Sequence, residues 1–238
     1  MKDLWKRFDR LTSKCYDNLA GVSGDAGAWD EAYETLCEII HEGRRLNPGY
    51  APELYLLDDE TDYEHDVCGW LEDYLDSLEM AERYEELRKI CTELIGLFRW
   101  EEEKPSDLRF FIASSFREEG KLDEALSFCE DWYKKESDNL LGAVSLIYAR
   151  TAVRDFKGAE QIVLQYISED GVCTDENDLV YMAAQVLYKV SENKKAEKWV
   201  SEAIQKYEEE LEAQLSGMAD EGLDFNLDEI EDEDLPFH

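Results

Sequence analysis

Apolar residues recur at helical spacing along most of the chain. Two amphipathic halves follow one another over residues 107–139 and are joined at Gly120. In the first half, Ile112, Ala113 and Phe116 lie three or four residues apart, which places them on one face of a helix. Glycine tolerates the left-handed backbone that often ends a helix, so the pattern predicts a helix–turn–helix unit. The apolar face of its second helix comprises Leu122, Ala125, Leu126, Cys129 and Trp132.

The same pattern recurs at intervals near 34 residues. Ala159 follows Ala125 at that spacing, and Ala196 takes the equivalent position 37 residues later. Looser copies upstream place Leu87 and Ala32 there. Spacing of this regularity is unusual in an unrelated helical bundle, so the sequence predicts about five helical units. They lie near residues 1–48, 67–104, 106–139, 140–173 and 177–213.

The third unit resembles the tetratricopeptide repeat (TPR) family, whose repeat is a 34-residue helix–turn–helix. Arg109, Cys129 and Ser137 depart from the residues usual in that family. The resemblance implies an all-α fold, a right-handed α–α solenoid over residues 1–215 interrupted by an irregular insertion at 44–66. An unrelated all-α bundle is the alternative. The matching residues are Arg109, Ile112, Ala113, Phe116, Gly120, Leu122, Ala125, Cys129 and Trp132.

Acidic residues dominate the charge of the chain. The 59 Asp and Glu residues against 25 Lys and Arg give a formal net charge of −34. Binding to nucleic acid or to anionic membranes requires clustered basic residues, so we expect neither as a partner. A protein or peptide of basic character is the partner that such a charge would attract. A simpler explanation is that the acids coat the outer helix faces and confer solubility.

The cysteines and the N-terminal sequence indicate in which cellular compartment the protein is found. The six cysteines form no C-x-x-C pair, and several fall on apolar helix faces as small core residues. The N-terminus is charged and lacks the apolar run of a signal peptide. No stretch is long and apolar enough to span a bilayer. We therefore expect a cytoplasmic protein.

Candidate catalytic and metal-binding residues are few. His65 is the one histidine in a cluster of possible ligands, with Asp62, Glu64, Asp66 and Cys68 nearby. A zinc site needs about four ligands at one point, so a solvated loop is the favoured interpretation. Phosphate-binding loops and nucleophile elbows are missing from the sequence. We expect no catalytic residues, no metal and no cofactor, and hence no enzyme.

The TPR resemblance also implies a concave groove lined by the first helix of each unit. Such a groove would be acidic at its N-terminal end and aromatic toward its C-terminal end. Aromatic and Arg side chains are common in interface hot spots, although these rings could equally pack between units. The partner-binding residues carried over by the resemblance are Glu72, Asp76 and Glu79, then Phe110, Ser114 and Arg117, then Val144, Tyr148 and Thr151, and finally Tyr181, Gln185 and Tyr188.

Residues 216–238 form an acidic C-terminal segment with too few apolar residues to build a core. We expect a tail that is mobile or that orders by docking, in the groove or on a basic partner. Two functions fit the sequence. The first is a non-enzymatic adaptor that binds a peptide or protein segment in the groove. The alternative is a chaperone-like or regulatory protein whose acidic surface and tail sequester a basic protein.

Overall fold

The protein is helical throughout the part that the computed structural model describes, residues 1–19 and 27–221, where it contains no strand. This confirms the predicted all-α class. The helices are α1 (Lys2–Leu19), α2 (Ala28–Leu46), α3 (Leu56–Asp59), α4 (Val67–Met80), α5 (Tyr84–Leu97), α6 (Ser106–Glu118), α7 (Leu122–Lys135), α8 (Leu140–Ala152), α9 (Phe156–Tyr166), α10 (Asp178–Val190) and α11 (Lys194–Glu221).

The chain divides into two compact units, Met1–Val153 and Arg154–His238. The first contains α1 to α8 and the second α9 to α11. The sequence predicts one continuous array to residue 215, and α11 extends beyond that point to Glu221. The predicted behaviour of the tail beyond it lies outside the described residues.

Three helix hairpins share one turn geometry. Glu82, Gly120 and Glu192 each occupy the left-handed region, with φ of 57°, 78° and 57°. In each turn the next N–H donates to the carbonyl five residues earlier, the hydrogen bond that closes a helix C-terminus of this kind. The turns join α4 to α5, α6 to α7 and α10 to α11. Their closing hydrogen bonds are Arg83 to Leu78, Lys121 to Phe116 and Asn193 to Tyr188.

Aromatic stacking holds the N-terminal half of the first unit together. Trp29 of α2 stacks on Trp70 and Tyr74 of α4, with ring centroids 5.9 and 6.0 Å apart. Phe8 of α1 meets Trp70 edge-on at 5.1 Å. Rings of this size contribute much of the buried apolar area in a core. The stack therefore joins α1, α2 and α4.

The insertion at 44–66 is anchored to the first unit by hydrogen bonds. Arg44 donates to the carbonyls of Leu97 and Ala51, at 2.7 and 2.9 Å. The buried carboxylate of Asp58 accepts from the N–H groups of Val67 and Cys68 at the start of α4, at 2.7 and 3.3 Å. Such an acceptor satisfies donors that a helix N-terminus leaves unpaired. The insertion thus caps α4.

Candidate functional site

Four of the predicted partner-binding residues form a continuous chain of contacts in the first unit. The Ser114 hydroxyl on α6 donates to Glu79 Oε1 on α4 at 3.0 Å. Arg117 Nη2 donates to Ser114 Oγ at 3.3 Å, and its guanidinium lies 4.9 Å from the centroid of the Tyr148 ring on α8. Cation–π contacts of this kind are attractive. Side chains of α4, α6 and α8 therefore meet along one surface.

Three further predicted residues lie on the same helices. Glu72 and Asp76 are exposed one turn apart on α4, and Phe110 is half-buried on α6. Among the described residues, neither Glu72 nor Asp76 has an ion-pair partner. We call this surface the α4–α6–α8 face. It comprises Glu72, Asp76, Glu79, Phe110, Ser114, Arg117 and Tyr148.

The five other predicted residues are buried or hydrogen-bonded to residues outside this surface. Val144 and Thr151 of α8 are buried, as are Tyr181 and Tyr188 of α10. Gln185 donates to Ser201 Oγ at 3.1 Å. Packing, the alternative left open for the aromatic residues, therefore describes Tyr181 and Tyr188. Ser114 is buried too, but its hydrogen bonds with Glu79 and Arg117 place it at the base of the face, whereas these four buried residues are left out of it.

The exposed side of α10 is apolar. Leu179, Met182, Val186 and Val190 are exposed at three- and four-residue spacing. Two residues of this row, Met182 and Val186, directly follow the predicted Tyr181 and Gln185 in sequence. Helix α10 is apolar on most of its circumference, so periodicity alone does not distinguish its buried side from its exposed one.

A cavity of about 170 Å³ opens in the first unit beside the predicted Glu72. Leucines of the insertion and of α4, α5 and α6 form its apolar wall. Three aromatic side chains also line it: Tyr55 of the insertion, Trp100 after α5, and Phe111 of α6. Trp100 is fixed by a hydrogen bond of 3.0 Å from its Nε1 to the Ile95 carbonyl. The leucines are Leu54, Leu71, Leu75, Leu94 and Leu108.

Carboxylates surround this cavity. Glu53, Glu72, Glu103 and Asp107 line it, against one cation, Lys104, whose Nζ lies 3.7 Å from Asp138. Glu53 is the unusual member because only 6% of it is exposed. Its Oε1 accepts one hydrogen bond, from the Glu101 N–H at 3.3 Å. A carboxylate can accept about four, so Glu53 retains unused acceptor capacity.

Of the residues that line the cavity, the sequence predicted only Glu72 as a partner-binding residue. Glu53 and Tyr55 come from the insertion, and Trp100 and Glu103 from the loop after α5. The available signal was Trp100 itself, a large aromatic residue set in an acidic loop. Helix α5 ends at Leu97, so Trp100 and Glu103 stand in a segment without helical periodicity that could place them.

The acidic run around His65 has a structural role. His65 Nδ1 lies 2.5 Å from Asp9 Oδ1, and its ring stacks on Trp5 with centroids 4.5 Å apart. Asp66 caps α4 by accepting from the Gly69 N–H at 3.1 Å. Over residues 1–19 and 27–221, no group of His, Cys, Asp and Glu is placed to hold a metal ion.

The thiols of Cys91 and Cys129 are buried. Burial raises the pKa of Cys91 and of Cys129 to about 12. A thiol with so high a pKa is protonated near neutral pH and is a poor nucleophile. These cysteines therefore act as packing residues on α5 and α7.

Comparison with protein-family models, with curated proteins and with solved structures finds no match to this chain. In the described part of the chain, no helix combines the length and the apolar character needed to cross a membrane.

Proposed function

We propose that the protein is a non-enzymatic, TPR-like interaction module that binds a segment of a basic protein along the α4–α6–α8 face. The observation that carries the proposal is the chain of contacts from Glu79 through Ser114 and Arg117 to Tyr148. It aligns side chains from three successive first helices into one continuous surface. The proposal includes a cytoplasmic location and no cofactor.

A repeating arrangement of the hairpins supports the TPR-like part of the proposal. Helix α5 packs on α6, α7 packs on α8, and α6 also packs on α8. Each second helix thus covers the following first helix, as successive units do in a repeat protein. The recurrent left-handed turn at Glu82, Gly120 and Glu192 adds to this support.

Charge supports a basic partner. Within the part of the chain that the structure describes, the exposed Glu72 and Asp76 have no ion-pair partner, and the whole chain carries a net charge of −34. A basic segment laid along α4 would pair with these carboxylates and would be steered toward them over a distance. Arg117 and Tyr148, residue types common in interface hot spots, would supply contacts at the other end.

The test is capture of binding proteins from cells of the source organism with three immobilised full-length chains: wild type, Tyr148→Ala and Tyr84→Ala. Tyr84 is the matched control because it is also half-buried but lies on α5. We expect a protein that wild type and Tyr84→Ala retain in high salt and that Tyr148→Ala loses. Its identity is then established by mass spectrometry, and its binding is measured with the purified protein.

The alternative function has a different outcome. If an acidic surface sequesters a basic protein by charge alone, raised salt releases that protein from all three chains, since exposed charges are screened. Retention that is equal for Tyr148→Ala and wild type would remove the α4–α6–α8 face from the proposal.

A further inference from the structure

The cavity beside Glu72 combines two features that rarely occur together. Its walls are leucine and aromatic side chains, and the buried carboxylate of Glu53 also lines it. Burial of a carboxylate is unfavourable unless donors or a cation compensate it. Among the described residues, Glu53 accepts one hydrogen bond, of 3.3 Å from the Glu101 N–H, which provides little of that compensation. Lys104, the cation among the described residues that line the cavity, lies 3.7 Å from Asp138, so the Glu53 carboxylate keeps unused capacity to accept a donor or to pair with a cation.

We propose that this cavity binds one lysine or arginine side chain of the partner protein. The inference rests on the proposed function and adds the residue type that the partner inserts. The aliphatic stem of the basic side chain would pack against Leu75, Leu108 and Phe111. Its cation would reach Glu53, a charge-assisted hydrogen bond of the stronger kind.

Size and chemistry match this occupant. An apolar cavity of about 150 Å³ holds a benzene-sized molecule, so about 170 Å³ accommodates the stem of one long side chain. Lys and Arg bury their methylene stems against apolar surface. Rings such as Trp100 and Tyr55 attract cations as well. A purely apolar side chain would fill the same walls but would leave the Glu53 carboxylate unpaired.

The cavity also adjoins the proposed binding face. Glu72 belongs to both, and Asp76 lies one turn further along α4. A partner segment with its basic side chain in the cavity would continue past Asp76 toward Ser114 and Arg117. Neighbouring basic residues of that segment would meet Glu103 and Asp107 at the cavity mouth.

The test uses small probes and the full-length chain with ¹³C-labelled leucine methyl groups. The probes are Nα-acetyl-arginine amide, Nα-acetyl-lysine amide and Nα-acetyl-norleucine amide, the last having an apolar side chain without charge. We expect saturable NMR shifts at Leu75 and Leu108 with the arginine or lysine probe, with a millimolar dissociation constant. We expect the norleucine probe to bind at least tenfold more weakly.

Two variants assign the effect to the buried carboxylate. Glu53→Gln removes the charge with little change of shape and is expected to weaken binding of the cationic probe at least tenfold. Glu60→Gln is the matched control because Glu60 is exposed and does not line the cavity. It is expected to bind as wild type does. Circular dichroism establishes that both variants are folded.

Three results would overturn the inference. They are saturable binding of norleucine amide as tight as that of the cationic probes, cationic binding unaffected by Glu53→Gln, or no saturable shift with any probe. None of them depends on the captured partner. Conversely, loss of the partner from Tyr148→Ala with unchanged partner binding by Glu53→Gln would retain the proposed function and reject the cavity as its specificity pocket.

Discussion

The hydroxyl of Ser114 on α6 donates to the carboxylate of Glu79 on α4, joining two first helices that are 35 residues apart in sequence at this point. Ser114 is buried, whereas Glu79 is half-buried. The hydrogen bond therefore lies at the base of the α4–α6–α8 face, where it links the two helices. Arg117 shares the same hydroxyl as an acceptor.

Ser114→Ala is expected to lower the free energy of unfolding by about 1 kcal/mol, because the partly buried Glu79 loses a donor and Arg117 loses an acceptor. Urea denaturation measures the change. Glu79→Gln is the control: its amide oxygen still accepts from Ser114, so it should cost less than half as much. A Ser114→Ala chain as stable as wild type would show that this contact contributes nothing to the free energy of unfolding.

Asp58 is expected to be among the polar residues of the insertion that contribute most to the free energy of unfolding. Its buried carboxylate accepts two backbone N–H groups at the start of α4. Asp58→Ala leaves the N–H of the buried Val67 unpaired and should cost about 2–3 kcal/mol. The exposed Asp59 provides the comparison, since Asp59→Ala should change stability by less than about 0.5 kcal/mol. Equal effects of the two substitutions in denaturant titrations would refute the capping role.

Substitutions at two of the left-handed turn residues are expected to change the stability of the chain in opposite directions. At Gly120 an added Cβ meets no atom within 4 Å, so Gly120→Ala isolates the backbone cost of φ = 78°, about 1 kcal/mol. Glu82 occupies the same conformation without being glycine, and Glu82→Gly should stabilise the chain by up to about 1 kcal/mol. Thermal unfolding of the two variants measures both changes. A stabilising Gly120→Ala would contradict this description of the turn.

The sequence anticipated the helix hairpins better than it anticipated which residues are exposed or line the cavity. Residues 106–139 contain α6 and α7 with Gly120 left-handed between them, as the apolar spacing predicts. Periodicity could not select the buried side of α10, because Tyr181, Met182 and Val186 are all apolar enough to be buried. Glu53 and Trp100 reach the cavity from irregular segments, whose position no periodicity encodes.

Glu136 provides an acid-dependent contact between the ends of α6 and α7. Burial is the largest single influence and raises the pKa of Glu136. The hydrogen bond from Arg109, at 2.6 Å, the charge of Arg109, a hydrogen bond from Trp132 and the charge of Lys104 together outweigh it, so the pKa lies below its usual value. A carboxyl whose folded pKa is depressed contributes stability above its unfolded pKa, about 4.3, and loses it as the pH falls through the folded value.

The Glu136→Gln variant tests this contact. At pH 7 it should be about 1 kcal/mol less stable than wild type, since a charged acceptor for Arg109 is lost. The difference should shrink as the pH falls below about 4, where the wild-type carboxyl becomes protonated. Urea titrations of both chains at a series of pH values measure it. A stability difference that is the same at pH 3 and pH 7 would exclude the ion pair as its cause.

The most direct measurement of the central claim is the dissociation constant of the captured partner for wild type, Asp76→Lys and Asp131→Lys. Both aspartates are exposed, but Asp76 lies on the α4–α6–α8 face and Asp131 lies on α7. Each substitution changes the net charge equally. We expect Asp76→Lys to weaken binding by about tenfold or more, equivalent to 1.4 kcal/mol, with little change for Asp131→Lys. Equal weakening by the two substitutions would contradict a localised binding face.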